Sequence, residues 1–208
     1  VVRSGGRVSN ALRSALHRNF GKLYAAQDRY DDALTEMARD VYHCSLELGP
    51  DHIDTAAGFY HMATVFYSQR RMDQALAFYD KVVDTWYKFL LSARAAGDSP
   101  DSLPEAQVTE AHAMLRSIVV TRADLLGERH IATGEAQYTL GLLHAFVGDF
   151  SEAMRLVAAA KDMYAESLGP AHPSTQDVAG MLAHLMDATP DAVDDVAREE
   201  RPASMAKE

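Results

Sequence analysis

A five-residue phrase returns three times along this 208-residue chain: LGPDH at Leu48–His52, LGERH at Leu126–His130 and LGPAH at Leu168–His172. The last two begin 42 residues apart, and the first two 78 apart, which is 36 more than one such period. A second phrase keeps step with it. Tyr30-Asp31-Asp32-Ala33-Leu34 returns 42 residues later as Met72-Asp73-Gln74-Ala75-Leu76, and again as Phe150-Ser151-Glu152-Ala153-Met154. Two phrases at one period define a repeat array. Each unit of such an array is too small to bury its own apolar face, so the units must stack, and the stacked surface is typically a surface for partners.

Between the phrases the pattern is helical. Steps of three and four place Leu12, Leu16, Phe20, Leu23 and Tyr24 on one face of a first helix. After a break at Gln27-Asp28-Arg29, helix resumes through Ala33, Leu34, Met37, Val41, Cys44 and Leu48, and Gly49-Pro50 stops it. The reading is an all-α helical-hairpin solenoid over residues 9–188, with units at about 9–48, 54–95 and 133–168, an extra helix at 104–126 and a capping helix at 174–188. Residues 1–8 read as a loose lead-in and 189–208 as an acidic, disordered tail. Gly21, Ala63 and Gly141 in the first helices, and Ala33, Ala75 and Ala153 in the second, are small where two helices must touch. A helix-interior Gly costs about 1 kcal/mol against Ala, and close approach of a neighbouring backbone is a sufficient reason for it.

The middle interrupts the period. Gly97 to Leu103 reads as a loop, and Pro104 opens the surplus helix, since Pro suits a first helical turn. The helix before it is apolar on more than one face, through Phe78, Tyr79, Val82, Val83, Trp86, Tyr87, Phe89, Leu90 and Leu91. Such a helix is buried on more than one side. Either helix 104–126 covers it, or Trp86, Tyr87 and Phe89 dock a partner protein.

The formal net charge of -10 argues against non-specific binding to nucleic acid or to acidic membranes. Cys44 is the single cysteine, which excludes an intrachain disulfide and suits a cytoplasmic protein. There is no apolar run of about 20 residues to span a membrane. The chain starts Val1-Val2-Arg3, without Met or a signal-like segment, and reads as the ordered part of a longer protein.

No catalytic chemistry stands out. A Gly-rich phosphate loop, a nucleophile elbow and an HExxH are all missing from the sequence. The acid pairs Asp31-Asp32, Asp194-Asp195 and Glu199-Glu200 fall at helix starts or in the tail, where the helix dipole accounts for several of them. His52, His130 and His172 come one per repeat turn, too far apart to share an ion, and read as hydrogen-bonded turn residues. His17, His43, His61, His112, His144 and His184 have no i, i+4 histidine partner. With one cysteine, no metal site and no cofactor is expected. Cys44, on the inward face of a second helix, reads as structural.

The LGxxH phrase, the small residue of each first helix and the [Y/M/F]-x-x-A start of each second helix resemble the tetratricopeptide repeat (TPR) family, and in particular its 42-residue kinesin-light-chain type. The run from Leu48 to Val82 and the broken third unit are similar to the TPR half of axonemal MYND-type zinc-finger proteins, whose Cys-rich finger has no counterpart in this chain. What the resemblance implies is a non-catalytic scaffold of the ciliary or flagellar axoneme, in contact with inner-arm dynein subunits and a companion TPR protein. The alternative it offers is an adaptor that takes short cargo peptides in its concave groove. Counted from the small residues, the family's groove positions are Arg18 and Lys22, then Tyr60, Thr64 and Tyr67, then Glu135, Tyr138, Leu142 and Phe146. A basic end of that groove would suit an acidic peptide or a tubulin tail, and tyrosines are frequent binding anchors.

Overall fold

The computed structural model describes residues 9–188; the lead-in and the tail lie outside the described residues. Among the described residues all regular structure is helical: α1 (Asn10–Ala26), α2 (Tyr30–Leu48), α3 (Ile53–Ser68), α4 (Met72–Ala96), α5 (Glu105–Leu126), α6 (Ile131–Phe146), α7 (Phe150–Leu168) and α8 (Pro173–Ala188), with a 3₁₀ turn at Pro100–Ser102. The chain forms two compact units, one up to Phe89 and one from Leu90, and the boundary falls within α4.

In the first unit α1 packs on α2 and α2 on α3. Ser9 caps α1, its hydroxyl accepting from the Leu12 N–H. The core gathers Ala33, Met37 and Val65, with Tyr24, Ala25, Tyr30, Leu34 and Met62 against it. Gly21 is small for a positional reason: a Cβ there would sit 2.7 Å from Met37 Cγ and 3.3 Å from the Ala33 carbonyl. The α3 and α4 helices meet through Phe59, Phe66 and Phe78, the last two rings stacked with centroids 5.3 Å apart.

In the second unit α5 packs on α6, α6 on α7 and α7 on α8. Gly141 repeats the logic of Gly21, facing Val157 Cγ2 at 2.9 Å and the Ala153 carbonyl at 3.4 Å from its missing Cβ. Ala33, Ala63, Ala75 and Ala153 are fully buried.

One face of α1 departs from the sequence expectation. Of the five residues on its apolar stripe only Tyr24 is half-buried against the core. Leu12, Leu16, Phe20 and Leu23 are 61, 51, 41 and 49 % exposed. The core side of α1 is instead made by Ser14, Gly21 and Ala25. Periodicity identified a face but not its neighbour.

Candidate functional site

The repeated phrase builds one turn three times. Gly49, Gly127 and Gly169 end their helices at φ of 97°, 107° and 93°, a region that favours glycine. His52, His130 and His172 each cap the helix that follows: Nδ1 accepts from the backbone N–H of Asp54, Ala132 and Ser174 at 3.1, 3.2 and 3.2 Å. That bond places the ring proton on Nε2. A third member was missed in the sequence. Thr55, Thr133 and Thr175 donate Oγ1 to the carbonyls of Gly49, Gly127 and Gly169 at 2.9, 3.0 and 2.9 Å, so the full phrase is LGxxHxxT. The signal was present, since each threonine follows its histidine by three residues. The histidines are therefore turn residues, one per repeat.

The groove positions of the first unit fare unequally. Arg18 is engaged: its Nε donates to Asp40 Oδ2 at 2.8 Å and its second guanidinium nitrogen to the Asp54 carbonyl at 3.1 Å. Asp40 is fully buried and also accepts from Ser14 Oγ at 2.5 Å. A buried carboxylate needs such partners, and Arg18 supplies one at the α1–α2–α3 junction. Lys22 points to solvent. Tyr60 is half-buried, its ring 6.0 Å from that of Tyr79. The Thr64 hydroxyl is turned back to the His61 carbonyl at 2.8 Å. Tyr67 stays 38 % exposed. Beside these residues burial, helped by Lys22 and Arg18, lowers the His61 pKa to about 3 and keeps the ring neutral.

In the second unit Glu135 is exposed and Phe146 half-buried, but Tyr138 and Leu142 are only 6 and 4 % exposed. They are core residues and not open anchors, a correction to the groove expectation: α6 is packed on by both α5 and α7. Trp86 requires a similar correction. It is 1 % exposed and meets Phe89 edge-on at 5.7 Å, so it offers no docking surface; Tyr87 and Phe89 are half-buried.

The second unit does hold an opening that the sequence did not signal. A cleft of about 600 Å³ lies between α5 and α7 over α6, with Val120 and Asp124 on one wall, Asp162 and Met163 on the other, and Gln137 between them. Gln137 Oε1 is buried without a hydrogen-bond partner among the described residues. Arg129 at the cleft is paired with Glu166 of α7, Nε to Oε2 at 2.8 Å. The matching turn of the first unit pairs Asp51 with Lys81 of α4, and this bond lowers the Asp51 pKa. Cys44 is buried, its Sγ 3.3 Å from Thr55 Oγ1, where the thiol can donate to the hydroxyl oxygen, as suits a structural cysteine. Among the described residues, no three His, Cys, Asp or Glu side chains are grouped to hold a metal ion. Among them, too, no helix is long and apolar enough to cross a membrane.

Stacked helical hairpins, glycine-ended and joined by one recurring turn, define a helical-repeat protein. Tetratricopeptide repeat models match residues 12–88 and 133–174, together more than half of the chain, and the chain belongs to that family. Between the two matches lie the end of α4, the 3₁₀ turn and α5, where the period breaks. Solved structures give more distant similarity. The chain is 18 % identical to a kinesin-light-chain protein of nearly identical TPR-like repeats from Podosopora anserina, over 91 % of this chain and 99 % of that one, with a TM-score of 0.37. BtubC (BKLC) from P. vanneervenii is 17 % identical over 94 % of this chain and 88 % of that one, with a TM-score of 0.41. TPR proteins are generally non-catalytic and mediate protein–protein interaction, and this chain has the fold of such a scaffold.

Proposed function

We propose that the chain is a non-catalytic scaffold subunit of a stable assembly, and that the assembly is the ciliary or flagellar axoneme, with inner-arm dynein subunits and a companion TPR protein as neighbours. The observation that carries the scaffold reading is the distribution of open surface. Arg18, Tyr138 and Leu142, three of the nine groove positions, are committed inside the fold, whereas four large apolar side chains of α1 face outward. A surface of that kind is characteristic of subunits that are covered in their assembly. The axonemal part of the reading is supported by the resemblance of the Leu48–Val82 run. A tubulin-tail contact would depend on Lys22, since Arg18 is held by Asp40.

Crosslinking mass spectrometry on the native complex from ciliated cells tests this. Crosslinks to a dynein heavy chain and a second TPR protein are expected. Crosslinks confined to soluble cargo or kinesin would overturn it. The adaptor reading keeps one observation in its favour: Tyr67 remains open beside Tyr60 in the first unit. It predicts that Tyr67→Ala weakens binding of short peptides while the fold is retained.

A further inference from the structure

The cleft over α6 is made by substitutions that the repeat itself exposes. Helices α5, α6 and α7 follow α2, α3 and α4 at an offset of 78 residues, the spacing of the first two LGxxH phrases. Three lining residues are unchanged across that offset: Val119, Thr133 and Asp162 repeat Val41, Thr55 and Asp84. Two large side chains are lost. Gln137 stands where the first unit has Phe59, whose ring meets that of Phe78 on α4 at 5.9 Å. Ala159 stands where it has Lys81, which reaches from α4 to Asp51. Met163 in place of Thr85 turns one wall from a hydroxyl to an apolar chain.

The edge of the cleft gains charge at the same time. Leu46 and Pro50 of the first unit become Asp124 and Glu128, both exposed and without an ion-pair partner among the described residues. Of the other two charges at the cleft, Arg129 is held by Glu166, and Asp162 lies 3.4 Å from Lys161. The walls are apolar, with Val120, Ala123, Ala159 and Met163. Gln137 Oε1 is buried there and no described residue donates to it, although buried polar atoms are normally paired. An anion has the wrong charge for this edge, and a purely apolar ligand would leave the amide oxygen unpaired. An alkyl stem that ends in a cation with several N–H donors meets walls, amide and carboxylates together. Lys81 supplies such a stem in the first unit. Arginine fits better than lysine, because its guanidinium is weakly hydrated and carries five donors, so that one can serve Gln137 while others face the carboxylates.

We propose that the cleft is a binding site for an arginine side chain of a polypeptide. That arginine comes either from a partner protein or from an end segment of this chain, which has Arg3 and Arg7 before the described residues and Arg198 and Arg201 after them. The chemistry of the site is the same in both cases. The inference goes beyond the scaffold reading and does not depend on which assembly the chain joins.

The test is a nuclear magnetic resonance titration of the whole chain, isotope-labelled at its valine and methionine methyls, with the peptide acetyl-Gly-Arg-Gly-amide. The same peptide with citrulline, which keeps the shape of arginine and lacks its charge, is the control. The Val120 and Met163 signals should move with the arginine peptide while those of Met37 and Val65 in the first unit stay still. The citrulline peptide should bind at least about tenfold more weakly, since hydrogen bonds of a charged donor are the stronger ones. Asp124→Asn with Glu128→Gln should weaken arginine binding at least about fivefold at low salt. Gln137→Phe, the first unit's residue, should abolish the response, with circular dichroism to verify the fold; the two carboxylate changes lie on the surface and keep the test open should that variant not fold. Arg3→Gln with Arg7→Gln, and Arg198→Gln with Arg201→Gln, identify the source. A shift of the cleft signals in one of these variants without peptide, reversed by the arginine peptide, means that the chain supplies the arginine itself; a response to peptide alone means that a partner does. An equal response to the two peptides, a response undiminished by the Gln137 or the carboxylate changes, or no response of the cleft signals in any of these forms overturns the proposal.

Discussion

The helix-interior glycines of the second unit allow one substitution to be predicted with opposite signs. Replacing Gly by Ala in a helix gains about 0.8–1 kcal/mol in propensity. At Gly180 a new Cβ meets nothing within 4 Å, so Gly180→Ala keeps that gain and should raise the thermal midpoint by about 2–4 °C for a chain of this size. At Gly141 the Cβ would lie 2.9 Å from Val157 Cγ2 and 3.3 Å from Leu156 Cβ. Val157 is β-branched and fully buried, and it cannot swing aside cheaply. Overpacking of this kind costs about 1–3 kcal/mol, so Gly141→Ala should lose about 1 kcal/mol net after the propensity gain. Gly21→Ala in the first unit presses on Met37, an unbranched side chain that adapts more easily, and should cost less. Urea titrations followed by circular dichroism give the comparison, and amide exchange on α6 to α8 shows whether the change is local, because repeats open in parts. If Gly141→Ala stabilised as much as Gly180→Ala, the α6–α7 spacing would not be set by the glycine, and the account of the small residues would be wrong.

The recurring turn predicts that Thr133→Val, which strips the hydroxyl from the Gly127 carbonyl, costs about 1–2 kcal/mol in denaturant unfolding. His130→Ala should cost about 1 kcal/mol through the lost cap, and His130→Asn much less. His61 is held neutral with a pKa of about 3 against 6.5 unfolded, so its contribution is full above pH 6.5 and is lost progressively as pH falls toward 3. At pH 5 the loss is about 2 kcal/mol, and it should disappear from the pH profile of His61→Phe. Tyr138→Ala should cost about 3–5 kcal/mol as a core truncation, whereas Tyr67→Ala should stay within about 0.5 kcal/mol; equal effects in thermal melts would contradict the burial assigned to them. Asp51→Arg alone should lower the urea midpoint slightly and Asp51→Arg with Lys81→Glu should restore it, a double-mutant cycle that reads the turn ion pair directly.

The helices were legible because three signals coincided: a 3.6-residue period, Gly past each second-type helix end, and small residues at Gly21, Ala33, Gly141 and Ala153, where the structure shows backbones in close approach. The turn histidines were legible from their period alone. The threonines three residues further on were not singled out, because a lone Thr at a helix start is commonplace until its hydroxyl is seen to reach back to a glycine carbonyl. The groove was the least legible part. Family positions give the direction a side chain leaves the helix, but burial depends on how near the neighbouring helices lie, and Tyr138 and Leu142 are buried. The engagement of Arg18 was not legible for another reason. Its partner Asp40 is 22 residues away on α2, and no local pattern announces that a buried carboxylate there needs a cation.

The turn ion pairs show how a repeat protein can order its own units. The backbone frame of the turn is the same in both units, glycine, histidine and threonine included, so that frame by itself does not distinguish one turn from the other. Charge does. The fourth residue of the phrase is Asp51 in the first unit and Arg129 in the second, and each meets the opposite sign on the second-type helix that follows, Lys81 on α4 and Glu166 on α7. Exchange of the two turns would bring Asp51 to Glu166 and Arg129 to Lys81, so that two attractions become two repulsions. Exposed pairs of this kind contribute too little to hold a fold together, because water and salt screen them. The reversal counts twice, once for each gain lost and once for each repulsion added, and it bears only on the arrangement to be avoided. The third turn has Ala171 at this position and no second-type helix after it among the described residues, so a charge there would have nothing on the described chain to select.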